Sequence, residues 1–571
     1  MNLKSIFSVV ALSALMVGCS SDDLTNEPGA VETPASGETM TGYLNVNINL
    51  PTVSATGARA LDQSNDQFDD GLASEYAVKS AHLVIFDTDN EATAKVVGVF
   101  SFTDLKPWNT DASTTDNITS SAESVIKVQV TKSDKNLGAL VVLNDPAAKT
   151  HFIKDLPFQK LFSNNPVTIG EVNYNPIVNL ATMKNSDGFF MTNAPLYNGT
   201  TAKTLVSILP SSICNSPQEA QQSPAINVYV ERAVAKVNVT TSETLTNDIT
   251  INTSTTENNT VKNSEVTYKA TVSAWGLDIT NKKSYLVRNV SAFDTWKGYG
   301  KGARFYSESS NRIYWAIDPN YTDGSAEDAY ITANFNKISE SDIKNTTALS
   351  SATYILENTF DVANQLRDRT TRAIIKASFA PEGQDPKTFY TIGSANTIYT
   401  KEGMQAFIKG LAVNLLEGKN DASLYTFAPS TSVSNAAGKH TIGAEDIKYN
   451  NTVLTPDEVN KLNDAIGNIN TYLNGVCYYV ARIQHFGDMY TKWNPGDPTY
   501  GADATTAAND YLGRYGAVRN NWYELQISEI KNLGNPTIPE APDTPDDEDY
   551  YYISFKVNIH SWAKRVQNVI L

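Results

Sequence analysis

Cysteine is almost absent from this chain: three in 571 residues, Cys19, Cys214 and Cys477. That excludes a disulfide framework and a cysteine-based zinc site, whose ligands come in closely spaced pairs. Histidine is nearly as scarce. His82, His151, His440, His485 and His560 stand singly, without HxxxH or HExxH spacing, so no metal centre is expected. The chain also lacks a P-loop, a GxSxG elbow and a dinucleotide fingerprint. Carboxylates are plentiful, but no pair stands out as that of a glycosidase. The expectation is therefore not an enzyme, and no cofactor. Positive charge is in short supply: 45 Lys and Arg face 62 Asp and Glu, a net charge of −17. With no basic stripe, nucleic acid is excluded as a partner. No apolar run is long enough to cross a bilayer.

What is present is a strand-forming palette. Tyrosine (28) outnumbers phenylalanine (20), and Thr, Asn and Ser are abundant, as in half-exposed strands joined by polar turns. At the start, Lys4 precedes an apolar run from Ile6 to Val17 and then Gly18-Cys19. This reads as a signal peptide, 1–18, ending at a lipoprotein cleavage site. The Cys19 thiol is then expected to take a lipid, which is the only anchor in the chain. Residues 20–41, rich in Ser, Thr, Glu, Pro and Gly, read as a tether.

GYLNVNINL, 42–50, follows. Leu44, Val46, Ile48 and Leu50 alternate with asparagines, which predicts a strand with one apolar face. Pro51 ends it, and SATGARALDQ, 54–63, reads as a loop. Arg59 is the single basic residue between Lys4 and Lys79. Further strands are predicted at 78–86, 95–102, 124–131, 137–145, 226–241 (one long strand or a bent pair) and 264–279. Two segments read as helices. One is 400–418. The other is 455–473, with Thr455 as N-cap, Pro456 at N1, Glu458 completing a capping box, and Val459, Leu462, Ile466, Ile469 and Leu473 on one face. GNPTIPEAPDTPDDED, 534–549, reads as a solvated Pro/Asp-rich linker. It lacks the glycine and ligand spacing of a calcium loop. Beyond it Ile553, Phe555, Val557 and Ile559 alternate strictly. Trp562 marks a break, and Val566, Val569 and Leu571 add further apolar side chains. An amphipathic strand thus stands at each end, and a lone strand is not stable in water. Each must join a sheet, in its own chain or in another.

These features resemble the FimA/Mfa-type fimbrillins, the subunits of type V pili of Bacteroides-like Gram-negative bacteria. The resemblance rests on the lipobox at Cys19, VVLND (141–145), VERAVAKVNV (230–239), VRNNWYELQISEIKNLGNP (518–536) and the terminal W-x-x-x-VQNVI from Trp562 to Ile570. Many fimbrillins have one basic residue and an aliphatic pair where this chain has Ala563-Lys564-Arg565. The resemblance implies a mainly β fold: two β-sandwich-like (transthyretin-like) domains with a few short helices. It divides the chain into a lipidated propeptide, 19–59, two fimbrillin β domains, 60–240 and 241–533, the linker 534–549 and a C-terminal donor strand, 550–571. It implies cleavage between Arg59 and Ala60 by a trypsin-like, Arg-specific protease. That cut would free the strand bearing Leu44, Val46, Ile48 and Leu50. The strand bearing Ile553, Phe555, Val557, Ile559, Trp562, Val566, Val569 and Leu571 of another copy would replace it, and a head-to-tail contact of this kind propagates into a filament.

The implied partners are other copies of the chain, anchor and tip subunits, the protease, and the outer membrane through the lipid before cleavage. The implied place is the cell surface, in a fimbrium used for adhesion and biofilm formation, and the implied role is the major, shaft subunit. The alternatives are a tip or accessory adhesin and a monomeric glycan-binding surface lipoprotein. No host or bacterial ligand is named by the sequence.

Overall fold

The computed structural model describes residues 38–49, 75, 77–104, 121–178, 188–257, 260–300, 302–306, 311–321, 327–343, 351–486, 509–546 and 553–561. The fold is mainly β, with several sheets and short helices.

The first half is built from β1 (Thr39–Asn49), β2 (Ala81–Phe86), β3 (Val96–Ser101), β4 (Ser121–Thr131), β5 (Leu137–Leu143), β6 (Met191–Asn193) and β7 (Ile226–Arg232). A short helix, α1 (Pro217–Gln222), precedes β7. The strands lie in the order β3-β2-β5-β6-β7-β1-β4. β5, LGALVVL, is buried at every position, as a central strand covered on both faces should be. β1, β4 and β7 alternate instead. Leu44, Val46, Ile48, Ile126, Val128 and Val228 point into one core with Leu83, Ile85 and Leu140.

The predicted strand 226–241 is a bent pair. It breaks at Ala233 and continues as β8 (Val234–Thr246). Val234 still faces the first core, whereas Ala235, Val237 and Val239 face a second. The chain then runs through a long hairpin, β9 (Asp248–Glu257) and β10 (Thr260–Asp278), to β11 (Thr353–Leu356), β12 (Arg372–Pro381), β13 (Val476–Arg482), β14 (Asn521–Ile530) and β15 (Ile553–Ser561). One sheet of this half has the order β11-β8-β14-β15, and a second contains the run β9-β10-β12-β13. Their facing sides enclose the second core, where Val237, Ile375, Ala377, Cys477, Tyr523, Leu525 and Ile527 meet. Cys214 and Cys477 are both buried and unpaired, consistent with their acting as small hydrophobes.

Two helices pack on a smaller apolar cluster: α2 (Lys401–Leu415), capped by Thr400, and α3 (Pro456–Ile466), with the Thr455/Glu458 capping box. The predicted helix 455–473 overran its end. Gly467, at φ 69°, stops it, because a glycine with positive φ ends helices readily. Ile469 belongs to the following strand, Ile469–Tyr472, and Leu473 to the turn after it.

The segment 534–546, expected as a solvated spacer, is tied along the second half. Asn535 exchanges backbone hydrogen bonds with Tyr478 at 2.8 and 2.9 Å. Arg367 donates from its backbone to Thr544 and from Nε to Pro545, and the Asp546 amide donates to Gln365. Composition marked the segment as polar, but backbone groups find partners whatever the side chains are.

Candidate functional site

β1 is the strand that the sequence singled out, and it lies inside a sheet. It runs antiparallel to β4 over its whole length, from Thr39 opposite Thr131 to Asn49 opposite Ser121. On its other side it runs parallel to β7, from Val46 opposite Ile226 to Asn49 opposite Tyr229. Nearer its N-terminus, where β7 has ended, Tyr43 exchanges two 2.9 Å backbone hydrogen bonds with Cys214. The walls of the slot are therefore β4 on one side and β7 plus the 213–214 backbone on the other. Strands in a sheet stand about 4.8 Å apart, so the slot is one strand wide.

Leu44, Val46 and Ile48 form the floor contact; each is at most 1% exposed. The opposite face is polar and specific. The Asn45 amide donates to Glu123 at 2.6 Å and to the Ser223 carbonyl at 3.2 Å. The Asn47 amide donates to Asn227 Oδ1 at 2.8 Å. Gly42 lies beneath Ile213, where a Cβ would come within 2.4 Å of the Ile213 methyl. Segment 213–223 is held over β1 by the Tyr43–Cys214 and Asn45–Ser223 hydrogen bonds, and its own cap shapes it: Ser216 accepts from the Glu219 amide, and Glu219 accepts from the Asn215 amide.

The wall strand β7 is fixed to the second half through buried charge. Glu231 accepts from Arg288 and Arg312, each at 3.4 Å. Glu357 accepts from Arg288 at 3.1 Å and from Arg519 at 3.0 Å. Arg232 Nε donates to the Glu75 carbonyl at 2.7 Å, and Nη1 to Asn520 at 3.1 Å. Burial opposes the charged form of Glu357, yet Arg519 and Arg288 outweigh it and hold its carboxyl below the usual range. Burial likewise opposes the Arg288 cation, and Glu231 and Glu357 outweigh it. A buried pair of this kind costs several kcal/mol to break from one side.

At the other end of the chain, β15 lies on the edge of its own sheet. It pairs antiparallel with β14, from Ile553 opposite Ile530 to Ser561 opposite Asn521, with one irregularity between Ile527 and Glu529. Ile553, Phe555, Val557 and Ile559 are all on this strand. The structure does not bring β1 and β15 together; they sit on different sheets. Cys19, Leu50, Arg59, Ala60, Trp562, Val566, Val569 and Leu571 lie outside the described residues.

Sequence reasoning missed the polar clamp of Glu123, Asn227 and Ser223, and the cover that Ile213 and Cys214 lay over β1. The cap S-P-Q-E at 216–219 was a readable signal for the cover. The clamp had none, because its members lie 78 to 180 residues from their partners.

Residues 470–568 match the family described as "Major fimbrial subunit protein type IV, Fimbrillin, C-terminal". No curated protein matches. Solved structures overlap loosely. A Parabacteroides distasonis protein described as a cell adhesion protein aligns at 11% identity and a TM-score of 0.35, over 92% of this chain and 98% of that one. The tip fimbrial protein Mfa3 from Porphyromonas gingivalis, with a C-terminal truncation, aligns at 12% identity and 0.33, over 92% and 100%. A fimbrial assembly protein from Parabacteroides distasonis aligns at 13% and 0.24, over 60% and 86%. Overlaps this loose carry no inference about function. The family match covers most of the strand Ile469–Tyr472 and all of β13, β14 and β15, so the C-terminal region of this chain is similar to the C-terminal part of fimbrillin-type major fimbrial subunits.

Proposed function

We propose that this subunit polymerises by exchanging strands, with β1 as a removable placeholder and β15 of another copy as its replacement. The observation that carries this reading is the seat of β1. Leu44, Val46 and Ile48 fill a core that the rest of the first half leaves open, yet the strand belongs to a leader joined to the body through 50–74. Taking β1 away would strip β4 and β7 of their shared neighbour. Backbone groups on both walls would lose partners, and an apolar floor would face water. Only an extended segment with apolar residues at alternate positions restores both. β15 has that pattern and, as an edge strand, pairs with β14 alone among the described residues.

The trigger in this reading is a cut between Arg59 and Ala60 by an Arg-specific, trypsin-like protease, after Cys19 has carried the precursor to the outer membrane as a lipoprotein. Until the cut, β1 blocks the slot and prevents premature assembly. The released β15 has one donor role per subunit and the slot one acceptor role. The contact is head-to-tail and non-closing, which favours a filament. A chain with both a cuttable leader and a C-terminal strand of alternating apolar residues suits the shaft of the fimbrium, beside tip and anchor subunits. The role is structural rather than catalytic.

The test is a protease titration. The chain from residue 20, treated with limiting trypsin and run unboiled on a denaturing gel, should give heat-labile oligomers in a ladder. Arg59→Ala and a chain ending at Asp549 should give none. Cleavage at Arg59 that leaves only monomers would contradict a shaft role and move a tip or accessory role ahead.

A further inference from the structure

We infer that β15 enters the slot in one register, with Phe555, Val557 and Ile559 in the places of Leu44, Val46 and Ile48, and that Ile213 is the gate it must displace. This rests on the strand-exchange reading above and adds the docking geometry to it.

Three observations converge. First, the two strands read alike in one alignment. Leu44-Asn45-Val46-Asn47-Ile48-Asn49 lies over Phe555-Lys556-Val557-Asn558-Ile559-His560. Val-Asn-Ile is shared, and the apolar and polar positions keep step. A slip of one residue would turn the apolar set to solvent, so only slips of two compete.

Second, the polar face of the slot suits the incoming residues in that alignment. Asn558 takes the place of Asn47, whose amide meets Asn227 at 2.8 Å. Lys556 takes the place of Asn45, whose amide meets Glu123 at 2.6 Å. A lysine there answers the Glu123 carboxylate with a full positive charge. A slip of two that moves Phe555 to the place of Val46 would set Lys556 against Asn227 and lose the Asn–Asn pair.

Third, the tightest point of the slot distinguishes the registers. Gly42 sits where a Cβ would lie 2.4 Å from Ile213 Cγ2. The C-terminal strand has no glycine, so any register brings a side chain against Ile213. In the proposed register that side chain is Ile553. In the two neighbouring ones it is Tyr551 or Phe555, both larger. The proposed register is thus the one with least to displace, but it still requires Ile213 to move. The cover carrying Ile213 is held by the Tyr43–Cys214 backbone pair, which leaves when β1 leaves. Loss of the leader thereby loosens the gate that would otherwise oppose the donor.

The experiment uses the full-length subunit from residue 20, cleaved at Arg59 and allowed to assemble. In a Cys214→Ser background, Ser124→Cys is combined in turn with Phe555→Cys, Val557→Cys and Ile559→Cys. Ser124 stands opposite Val46 in the precursor, so a short thiol cross-linker should join copies through 124 and 557. Ile213→Ala should accelerate assembly about tenfold or more, although truncating a core side chain ordinarily weakens a protein. Glu123→Lys should slow assembly several-fold at low salt, and Glu123→Lys with Lys556→Glu should recover it, the effect shrinking as salt rises. If wild-type subunits assemble but cross-link through 555 or 559, the register is wrong while strand exchange stands. If Ile213→Ala assembles no faster than wild type, Ile213 is not the gate. If wild-type subunits do not assemble at all, strand exchange itself fails and the register falls with it.

Discussion

Ile48→Ala separates what the leader strand does for the precursor from what it does for the filament. Ile48 is 1% exposed and sits in the first core opposite Ala122 on β4. Burying Leu44, Val46 and Ile48 is worth about 1.5–3 kcal/mol each, or about 5–9 kcal/mol gross. That is comparable to the whole stability of an ordinary domain, about 5–15 kcal/mol, so the first half depends on having some strand in the slot. Truncating Ile48 to alanine should cost about 2–5 kcal/mol, because Ala122 is too small to fill the space. At 1.4 kcal/mol per factor of ten, the leader's hold weakens roughly 30-fold to several thousand-fold. Urea unfolding of the uncut precursor should therefore show a lower midpoint and a loss of about 2–5 kcal/mol in unfolding free energy. In the strand-exchange proposal, cleavage discards the altered leader. The filament of the variant should then be as heat-stable as wild type, and it should form faster. A precursor as stable as wild type would refute the burial argument. A filament weakened along with the precursor would mean that β1 stays in the assembled subunit.

Other outcomes follow from the same geometry. Gly42→Val should destabilise the precursor by about 1–3 kcal/mol, read by thermal unfolding, since the new side chain meets Ile213 at a clash distance. Glu357→Gln leaves Arg288 and Arg519 short of a buried counter-charge and should cost about 3–5 kcal/mol in denaturant unfolding. Because its folded pKa lies below the ordinary value, Glu357 contributes stability that is fully present above about pH 4.3 and lost as pH falls through the folded pKa. The acid limb of a stability–pH curve should flatten in Glu357→Gln. Burial pushes the Cys477 thiol up to about 12. It should resist a thiol-labelling reagent at pH 8 until the second core unfolds, and labelling of the native chain would contradict that burial.

The fold class was legible because strand alternation is local. The inward side chains of β1 could be named from spacing, since Leu44, Val46 and Ile48 recur every second residue. Where β1 would sit was not legible. Its partners are residues 121–131 and 226–229, far along the chain, and one neighbour is parallel while the other is antiparallel. The run VERAVAKVNV showed its charges plainly at Glu231, Arg232 and Lys236. Their burial was hidden, because Arg288, Arg312 and Glu75 come from distant segments. The overrun of α3 is different in kind: Gly467 was a readable stop, and the continuing apolar spacing outweighed it. The motif VRNNWYELQISEI carried family likeness without a visible job; most of it forms β14, the strand with which β15 pairs.

The central claim is that β15 of one copy takes the seat of β1 in another, and amide hydrogen exchange on β4 tests it most directly. Three samples suffice: the uncut precursor, the Arg59-cleaved chain ending at Asp549 with its leader removed, and that same protein with a synthetic peptide of residues 551–571. The amides of 121–131 that bond to β1, every second one, should be protected in the first, exchange rapidly in the second and regain protection in the third. Protection that the peptide does not restore, or that never falls when the leader is gone, would contradict the account.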